Sequence, residues 1–485
     1  MNGRKVIIIG AGPAGLAAGL QLAKEKVEVE IFEADRMVGG ISKTLNYNGN
    51  YFDFGGHRFF SKFDEVNQLW SETLGDDFVL TPRLSRIYYK NKFFDYPLKP
   101  LNALSNMGLI DTISVMVSYV KSRIVPVKEE NSFEDWVSNR FGRKLYSMFF
   151  KTYTEKVWGI PCNSIGADWA AQRIKGLSLY SAVCNALFKP KNNDIKTLID
   201  QFMYPKYGPG MMYEKMGKII TALGGKIHKN CKVTRIERDG YTVKSIRYVD
   251  SENFESIAEA TDFISSMPLT ELVKVMTPSL DETIIKAADS LGYRSLINVD
   301  IIFDKEQIFP DNWIYVHSPE VKLGRVQNFK NWSQHMVSDS KKTALGLEYF
   351  CTEDDEFWCL PDEKIKEIAL MEIEKVGLVE EKYAVDGYVV RVPKAYPVYF
   401  TGYEEHLNAI KSEITRFKNI QPVGRYGIYR YNNMDHSIMT GLYAARNILY
   451  NKTNDIWSIN SEPDYHEINQ KVTRKRFDVV LPEKS

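Results

Sequence analysis

Three glycines near the start of the chain have the spacing of a phosphate-binding loop. The loop has the pattern Gly-x-Gly-x-x-Gly and consists of Gly10, Ala11, Gly12, Pro13, Ala14 and Gly15. Gly10 permits a tight turn, Gly12 lets the backbone approach a pyrophosphate, and Gly15 lets a helix pack closely on a strand. Glu33, farther along, has a carboxylate that accepts hydrogen bonds from ribose hydroxyls. The pattern therefore predicts that Gly10, Gly12, Pro13, Ala14, Gly15 and Glu33 bind a dinucleotide.

The elements around this loop are those that dinucleotide binding requires. Val6 to Ile9 is a β-branched run, which is typical of a buried parallel strand. Leu16 to Lys24 is rich in Ala and Leu and predicts a helix, and Val27 to Phe32 predicts a second strand that ends just before Glu33. The order strand, glycine loop, helix, strand is the context that makes the motif specific.

A second glycine pair, Gly39-Gly40, follows a few residues after Glu33. After a Rossmann unit, such a pair resembles the loop by which FAD oxidoreductases of the glutathione-reductase structural class contact their cofactor. NAD-dependent dehydrogenases lack this pair. We therefore expect FAD rather than NAD, with Gly39 and Gly40 among the residues that bind it.

Composition excludes several classes of protein. The chain has 485 residues, which at roughly 150 per domain suggests about three domains. Lys and Arg number 63 against 62 Asp and Glu, so the net charge of +1 argues against a nucleic-acid binder. No apolar run is long enough to span a membrane. Five cysteines without a CxxC pair and seven scattered histidines predict no metal site and a cytoplasmic protein with reduced thiols.

The pattern along the chain predicts an α/β fold with three interleaved parts. These are a Rossmann-type FAD-binding domain of the glutathione-reductase class, a helical insertion, and a mainly antiparallel β-sheet substrate domain. We assign 1–85, 201–268 and 415–455 to the first, 100–200 to the second, 86–99 and 269–414 to the third, and 456–485 to a C-terminal extension. Within them we expect helices over 101–125, 133–150 (capped by Asn131 or Ser132), 362–375 and 435–450, and strands at Leu296–Phe303, Trp313–His317 and Ala344–Phe350.

Six short segments carry a resemblance to a known family. The first is FDFGGHRFFSK at 52–62, where two glycines before His57 let the backbone pass close to a ring system. The others are DYP at 95–97, KVWGIPCNSIGADWAAQR at 156–173, WIYVHSPEVKLGRVQNFKNWS at 313–333, a Tyr-Pro pair within 395–397, and GRYGIYRYNNMDHS at 424–437. In these segments the chain resembles the UDP-galactopyranose mutases, most nearly the eukaryotic-type members.

The resemblance implies a role for each matched residue. His57 would lie against the flavin, and Arg173 and Arg325 would clamp and stabilise a diphosphate. Substrate binding would involve Tyr96, Trp158, Trp313, Tyr315, Tyr396, Tyr431 and Asn433. Further FAD contacts would come from Val233, Gly424, Arg425, Met434 and Asp435. Asp435 is also a good helix N-cap, which is the alternative interpretation of that residue.

The resemblance also implies the reaction. UDP-galactopyranose and UDP-galactofuranose are interconverted for cell-surface polysaccharide synthesis, by attack of N5 of reduced FAD on the anomeric carbon. The reaction has no net redox change but needs the reduced cofactor. Because no second Gly-x-Gly-x-x-Gly motif is evident, we expect a transient reductant, with NAD(P)H as one candidate. Oligomeric state is left open.

Two departures from the family pattern keep alternatives open. Leu98-Lys99 stands where the eukaryotic-type mutases have Phe-Gln, so UDP-N-acetylgalactosamine or a dTDP-linked 6-deoxyhexose are rival substrates. Gly208-Pro209-Gly210-Met211 replaces a Gly-Gly-Thr-Gly run and looks more like general amine-oxidase-type flavoproteins. The second hypothesis is therefore an FAD-dependent oxidoreductase of the amine-oxidase or desaturase type. A third is a flavoprotein that binds a nucleotide sugar without turnover.

Overall fold

The computed structural model describes residues 3–96, 98, 100–167 and 201–460. Its strands are β1 (Lys5–Ile9), β2 (Glu28–Phe32), β3 (Thr44–Tyr47), β4 (Asn50–Asp53), β5 (Phe78–Pro82), β6 (Ser85–Tyr89), β7 (Lys92–Asp95), β8 (Gln201–Pro205), β9 (Lys226–His228), β10 (Lys232–Asp239), β11 (Thr242–Val249), β12 (Glu255–Glu259), β13 (Asp262–Ser265), β14 (Met276–Thr277), β15 (Tyr293–Phe303), β16 (Trp313–Val316), β17 (Arg325–Asn328), β18 (Thr343–Cys351), β19 (Ala384–Pro397) and β20 (Ile420–Pro422). Its α-helices are α1 (Pro13–Lys24), α2 (Asp64–Leu74), α3 (Pro100–Met107), α4 (Leu109–Ile124), α5 (Phe133–Phe141), α6 (Arg143–Tyr146), α7 (Thr152–Trp158), α8 (Gly210–Ala222), α9 (Leu269–Lys274), α10 (Glu282–Ser290), α11 (Phe329–Trp332), α12 (Glu356–Cys359), α13 (Asp362–Lys375), α14 (Tyr403–Ile414), α15 (Gly424–Gly427) and α16 (Met434–Tyr450).

A parallel sheet in the order β20-β13-β1-β2-β9 carries the glycine loop. Its central strand β1 is buried from Val6 to Ile9, so the β-branched run forms the buried parallel strand that was expected. Helix α1 leaves the sheet directly after the loop and packs against α16. The two helices approach very closely, because a Cβ at Gly441 would lie only 2.0 Å from the carbonyl oxygen of Ala14.

A second sheet has the order β19-β15-β18-β17-β16-β6-β7. All its pairings are antiparallel except that of β16 with β6, so the expectation of a mainly antiparallel sheet is confirmed. Strand β15 pairs with β18 on one side and β19 on the other, and it is buried over nearly its whole length because its apolar side chains enter three hydrophobic clusters. A smaller sheet has the order β12-β11-β10-β14, and the hairpin β3-β4 and the pair β5-β8 complete the sheets.

The helical part differs in detail from the expectation. The helix predicted over 101–125 is two helices, α3 and α4, because Gly108 between them has a φ of +80°. The helix predicted over 133–150 ends at Phe141, because Gly142 has a φ of +84°, and the chain continues as α6, a π-helical turn and α7. Of the two candidate caps, Ser132 caps α5 through a capping box with Asp135.

The parallel sheet draws strands from three separated stretches of the chain, within 5–32, 226–265 and 420–422. The α/β fold class is confirmed, whereas the domain boundaries remain a proposal. Residues 461–485 of the predicted C-terminal extension lie outside the described residues. Among the described residues, no helix combines the length and the apolar character that crossing a bilayer requires.

Candidate functional site

A cavity of about 750 Å³ lies between the loops of the parallel sheet and the face of the antiparallel sheet. Most of the predicted site residues line it together. They are Gly10, Gly12, Pro13, Ala14, Glu33, Gly40, His57, Tyr96, Val233, Trp313, Tyr315, Arg325, Tyr396, Gly424, Arg425, Tyr431, Asn433 and Met434. The fold therefore brings the dinucleotide motif and the predicted substrate residues to one continuous space.

The two glycine loops meet at one end of this cavity. Gly12 begins α1 without a side-chain cap, and a Cβ on Gly40 would lie 3.2 Å from the Cα of Gly12. A side chain at either position would fill the space beside the helix N-terminus. Small residues and an uncapped helix start are what a pyrophosphate requires of a loop.

Two predicted residues act behind the cavity wall instead of lining it. A Cβ at Gly15 would lie 2.0 Å from the carbonyl oxygen of Gly10, so Gly15 lets α1 pack on the loop. Gly39, with a φ of +105°, donates its backbone N–H to the carbonyl of Ala11 at 2.8 Å. Gly15 and Gly39 therefore fix the shape of the two loops.

Glu33 lines the same end of the cavity. Its carboxylate accepts hydrogen bonds from the backbone N–H of Ala11 at 2.6 Å and of Asp35 at 2.8 Å. Burial raises the pKa of Glu33, and these two donors work against that rise. Each oxygen of a carboxylate can accept a further bond, so the ribose role expected for Glu33 is compatible with these contacts.

His57 follows a glycine turn, Gly55-Gly56, that lines the cavity. Gly55 has a φ of +120°, and a Cβ at Gly56 would lie 2.7 Å from Nε2 of Gln327, so larger residues would displace the turn. Burial of the imidazole, with Arg425 and Arg325 nearby, lowers the pKa of His57 to about 3. The ring is therefore neutral at ordinary pH, and its buried Nδ1 has no hydrogen-bond partner within the described protein.

Arg325 is held by a carboxylate that the sequence analysis did not single out. Its Nε donates to Oε1 of Glu348 at 2.9 Å, and its Nη2 donates to Oε2 of the same residue. Glu348 is fully buried and also accepts from Nε2 of Gln327 at 2.8 Å. Burial is the largest single influence and works to lower the pKa of Arg325, but the Glu348 carboxylate and the nearby Tyr153 and Tyr396 together outweigh it, and the pKa is raised well above its ordinary value. Arg325 therefore lines the cavity while ion-paired with Glu348.

Two stacked tyrosines and an arginine form another part of the wall. The rings of Tyr396 and Tyr431 have centroids 5.6 Å apart and an interplanar angle of 18°. The guanidinium of Arg425 lies 4.5 Å from the centroid of Tyr431 and 5.7 Å from that of Tyr396. It donates to the backbone carbonyls of Asn432 and Ala395, at 2.9 and 3.1 Å, which fixes its position. The predicted FAD ligand Arg425 thus lies against the predicted substrate residues.

A third aromatic group holds the remaining predicted substrate residues. Tyr96 and Tyr315 have ring centroids 4.8 Å apart, and Trp313 stacks on Trp332 at 5.2 Å. Trp158 does not line the cavity. It is buried with its ring edge-on to Tyr396 and Tyr431, both at 6.4 Å, and therefore supports the tyrosine pair from behind.

Helix α16 begins at the cavity, but its N-cap is not Asp435. Helix α16 starts at Met434 with Asn433 as its N-cap, and both residues line the cavity. Asp435 lies in the first turn and is fully buried, so the alternative interpretation of Asp435 as the N-cap is wrong. A carboxylate in the first turn is still favourable to the helix dipole. Arg173 and Lys99 lie outside the described residues.

The family model for flavin-containing amine oxidoreductases matches residues 13–449. The chain belongs to this family. Its cofactor is accordingly FAD. The parts of the cavity that fit this group are the glycine cradle (the loops of Gly10, Gly12 and Gly40), Glu33 and the start of α16.

Relatives in this family differ in what they do. A Klebsiella pneumoniae protein named probable UDP-galactopyranose mutase is 22% identical over 94% of this chain and 97% of its own length. An L-amino-acid oxidase of Demansia vestigiata is 20% identical over 92% of this chain and 87% of its own. The crystal structure of a reduced UDP-galactopyranose mutase superposes with a TM-score of 0.80, at 21% identity, over 95% of this chain and 98% of the other. The resemblance to the mutases is thus confirmed at the level of fold.

Sequence reasoning missed several residues of this flavoprotein's cavity. Besides Glu348, it did not single out four residues with charged side chains in the wall, namely Arg58, Arg83, Lys232 and Glu271. Glu348 left one signal, because it is the lone charged residue in the apolar run from Ala344 to Phe350. The others occur in segments where charged residues are common, and only the folded chain brings them to the cavity.

Proposed function

We propose that this flavoprotein is a mutase that interconverts UDP-galactopyranose and UDP-galactofuranose, or a close nucleotide-sugar analogue. The observation that carries the proposal is the lining of the cavity. Beyond the FAD end it presents tyrosines, a tryptophan and cations. These are Arg58, Tyr96, Arg83, Trp313, Tyr315, Arg325, Tyr396, Arg425 and Tyr431. Guanidinium groups suit a diphosphate, and tyrosines offer both hydroxyl groups and flat faces to a sugar.

Charge favours an anionic substrate over a simple amine. Among the described residues, five cationic side chains line the cavity, one of them (Arg325) paired with Glu348, against the carboxylates of Glu33 and Glu271. A protonated amine would be repelled by this wall, whereas a nucleotide diphosphate would be attracted to it. The polar lining also suits a sugar better than the long apolar substrate of a desaturase, because each buried hydroxyl needs a partner.

The residues divide the work between cofactor and substrate. The glycine cradle and Glu33 would hold FAD, which when reduced supplies a nucleophilic nitrogen for the anomeric carbon. Arg325, positioned by Glu348, would face the diphosphate and favour its departure. His57, which is neutral and has no partner at Nδ1 among the described residues, can hold a hydrogen bond at the cofactor without adding charge. The stacked rings of Tyr396 and Tyr431 would pack against one face of the sugar.

The direct test is turnover by the reduced protein. The purified flavoprotein is reduced with dithionite, given UDP-galactofuranose, and its products are followed by chromatography. We expect UDP-galactopyranose from the reduced protein and none from the oxidised protein. Tyr431→Phe should lower turnover, whereas Tyr47→Phe, whose hydroxyl bonds Asp386 away from the cavity, should not.

The second candidate is an oxidase of amino acids. It is favoured by the family match and by the similarity to an L-amino-acid oxidase over most of the chain, and an arginine could also bind an amino-acid carboxylate. Oxygen consumption with L-amino acids, in the absence of any conversion of UDP-galactofuranose, would select this candidate and remove the mutase proposal.

A further inference from the structure

Helix α4 presents a continuous apolar stripe to solvent. Its exposed apolar side chains range from 46% exposed at Met116 to 83% at Ile110. They are Leu109, Ile110, Ile113, Met116, Val117, Val120 and Ile124. Steps of three and four residues place all seven on one face of the helix.

The opposite face of α4 already serves the fold. Val115 is buried there, and the helix packs against α5 and α6. The Ser118 hydroxyl accepts from the backbone N–H of Lys144, which ties this face to α6. The exposed stripe is therefore additional to what the packing of the described residues uses, and a contiguous apolar patch of this kind marks a surface for a partner or a membrane.

Charge around the stripe identifies the kind of partner. At 100° per residue, Lys121 lies on one edge of the stripe and Arg123 on the other, and both are exposed. The helix has one carboxylate, Asp111, which lies on the opposite side and pairs with Lys144 at 3.3 Å. Near the start of α4, Lys92 donates to the carbonyl of Asn106 and adds another positive charge. The face is thus apolar in its centre and basic at its rim.

We propose that α4 is an interfacial helix that docks the protein on a membrane surface rich in anionic lipids. An apolar stripe between basic residues is the pattern by which amphipathic helices lie in the headgroup region. A second copy of the chain fits less well, because the exposed face of α4 offers no carboxylate to Lys121 and Arg123 of a partner. The proposal does not depend on the proposed mutase activity.

The test is co-flotation of the full flavoprotein with lipid vesicles. We expect binding to phosphatidylcholine vesicles that contain about 30% phosphatidylglycerol, and little binding to phosphatidylcholine alone. Added salt should weaken it. The double variant Ile110→Ser, Val117→Ser should bind about tenfold less, and the double variant Lys121→Gln, Arg123→Gln should lose the preference for anionic lipid.

The control substitution is Phe254→Ser, which removes an exposed apolar side chain far from α4 in sequence, in the turn before β12, and should leave vesicle binding unchanged. The flavin absorbance of each variant reports whether it has folded. Absence of vesicle binding by the unaltered protein, or equal binding by the Ile110→Ser, Val117→Ser variant, would overturn the proposal. The proposal would also be overturned, in favour of a second copy, if the unaltered protein did not bind vesicles but formed a dimer by light scattering, and the Ile110→Ser, Val117→Ser variant were monomeric.

Discussion

The ion pair between Arg325 and Glu348 allows a sharp prediction about the charge of the cavity. Glu348 is fully buried, and its carboxylate accepts from Nε and Nη2 of Arg325 and from Nε2 of Gln327. Glu348→Gln keeps the shape of the side chain but leaves the guanidinium without its counter-ion. Breaking a buried pair in this way costs about 3–5 kcal/mol. Because the Arg325 side chain is still 16% exposed at the cavity, we expect a loss near the lower end of that range.

The assay is denaturant unfolding followed by tryptophan fluorescence, with and without UDP. The variant cavity carries one more positive charge than the original, so it should bind the diphosphate more tightly. A ligand at one hundred times its Kd stabilises the folded state by about 2.7 kcal/mol. We therefore expect UDP at a fixed concentration to stabilise Glu348→Gln more than the unaltered protein, and to offset part of the loss.

The matched control is Glu372→Gln. Glu372 is also buried, but it accepts from the backbone N–H groups of Lys322 and Leu323, at 2.7 and 2.8 Å, and from no arginine among the described residues. That substitution should lower stability without any gain in the effect of UDP. A loss below about 1 kcal/mol for Glu348→Gln, or an equal effect of UDP on both proteins, would refute the role of Glu348 in setting the cavity's charge.

Three further predictions concern stability. Ser132→Ala removes the capping box of α5 and should lower the free energy of unfolding by about 1 kcal/mol in denaturant titrations. Gly441→Ala forces a Cβ to within 2.0 Å of the Ala14 carbonyl and should cost about 1–3 kcal/mol and release flavin on mild heating, whereas Gly292→Ala, which meets nothing within 4 Å, should do neither. Burial raises the pKa of Asp53 from 3.8 to about 7. Between these two pH values the folded protein keeps a proton that the unfolded chain releases. The contribution of Asp53 to the free energy of unfolding therefore falls as the pH rises from 3.8 to about 7. Asp53→Asn should remove that part of the pH dependence of the unfolding free energy, and an unchanged slope would contradict the assignment.

Local patterns predicted the glycine loop and the elements that flank it, for a physical reason. The functions of Gly10, Gly12 and Gly15 depend on the backbone of one short loop, so their spacing alone specifies it. The flanking strands and helix could be predicted for the same reason. The breaks at Gly108 and Gly142 were missed because a glycine within an apolar period can be tolerated in a helix, and only the packing of the chain decides.

The part of the cavity that we propose binds substrate was less predictable because it depends on strand register. Arg325 lies on β17 directly opposite Glu348 on β18, and a shift by one residue would place them on opposite faces of the sheet. The short strands β9 and β20, of three residues each, carry no period that a pattern could reveal. They join the parallel sheet only because longer neighbours position them.

The same register gives Arg325 and Arg425 different roles in binding the anionic substrate proposed above. Arg325 is ion-paired with Glu348, so it contributes oriented hydrogen-bond donors to the cavity more than it contributes net charge. Arg425 is held by two backbone carbonyls and two aromatic faces, which leave its positive charge in place. Removing the charge of Arg425 should therefore weaken the binding of any anion, whereas exchanging Arg325 for lysine should mainly disturb its orientation. This difference can be measured with UDP alone, before any turnover is known.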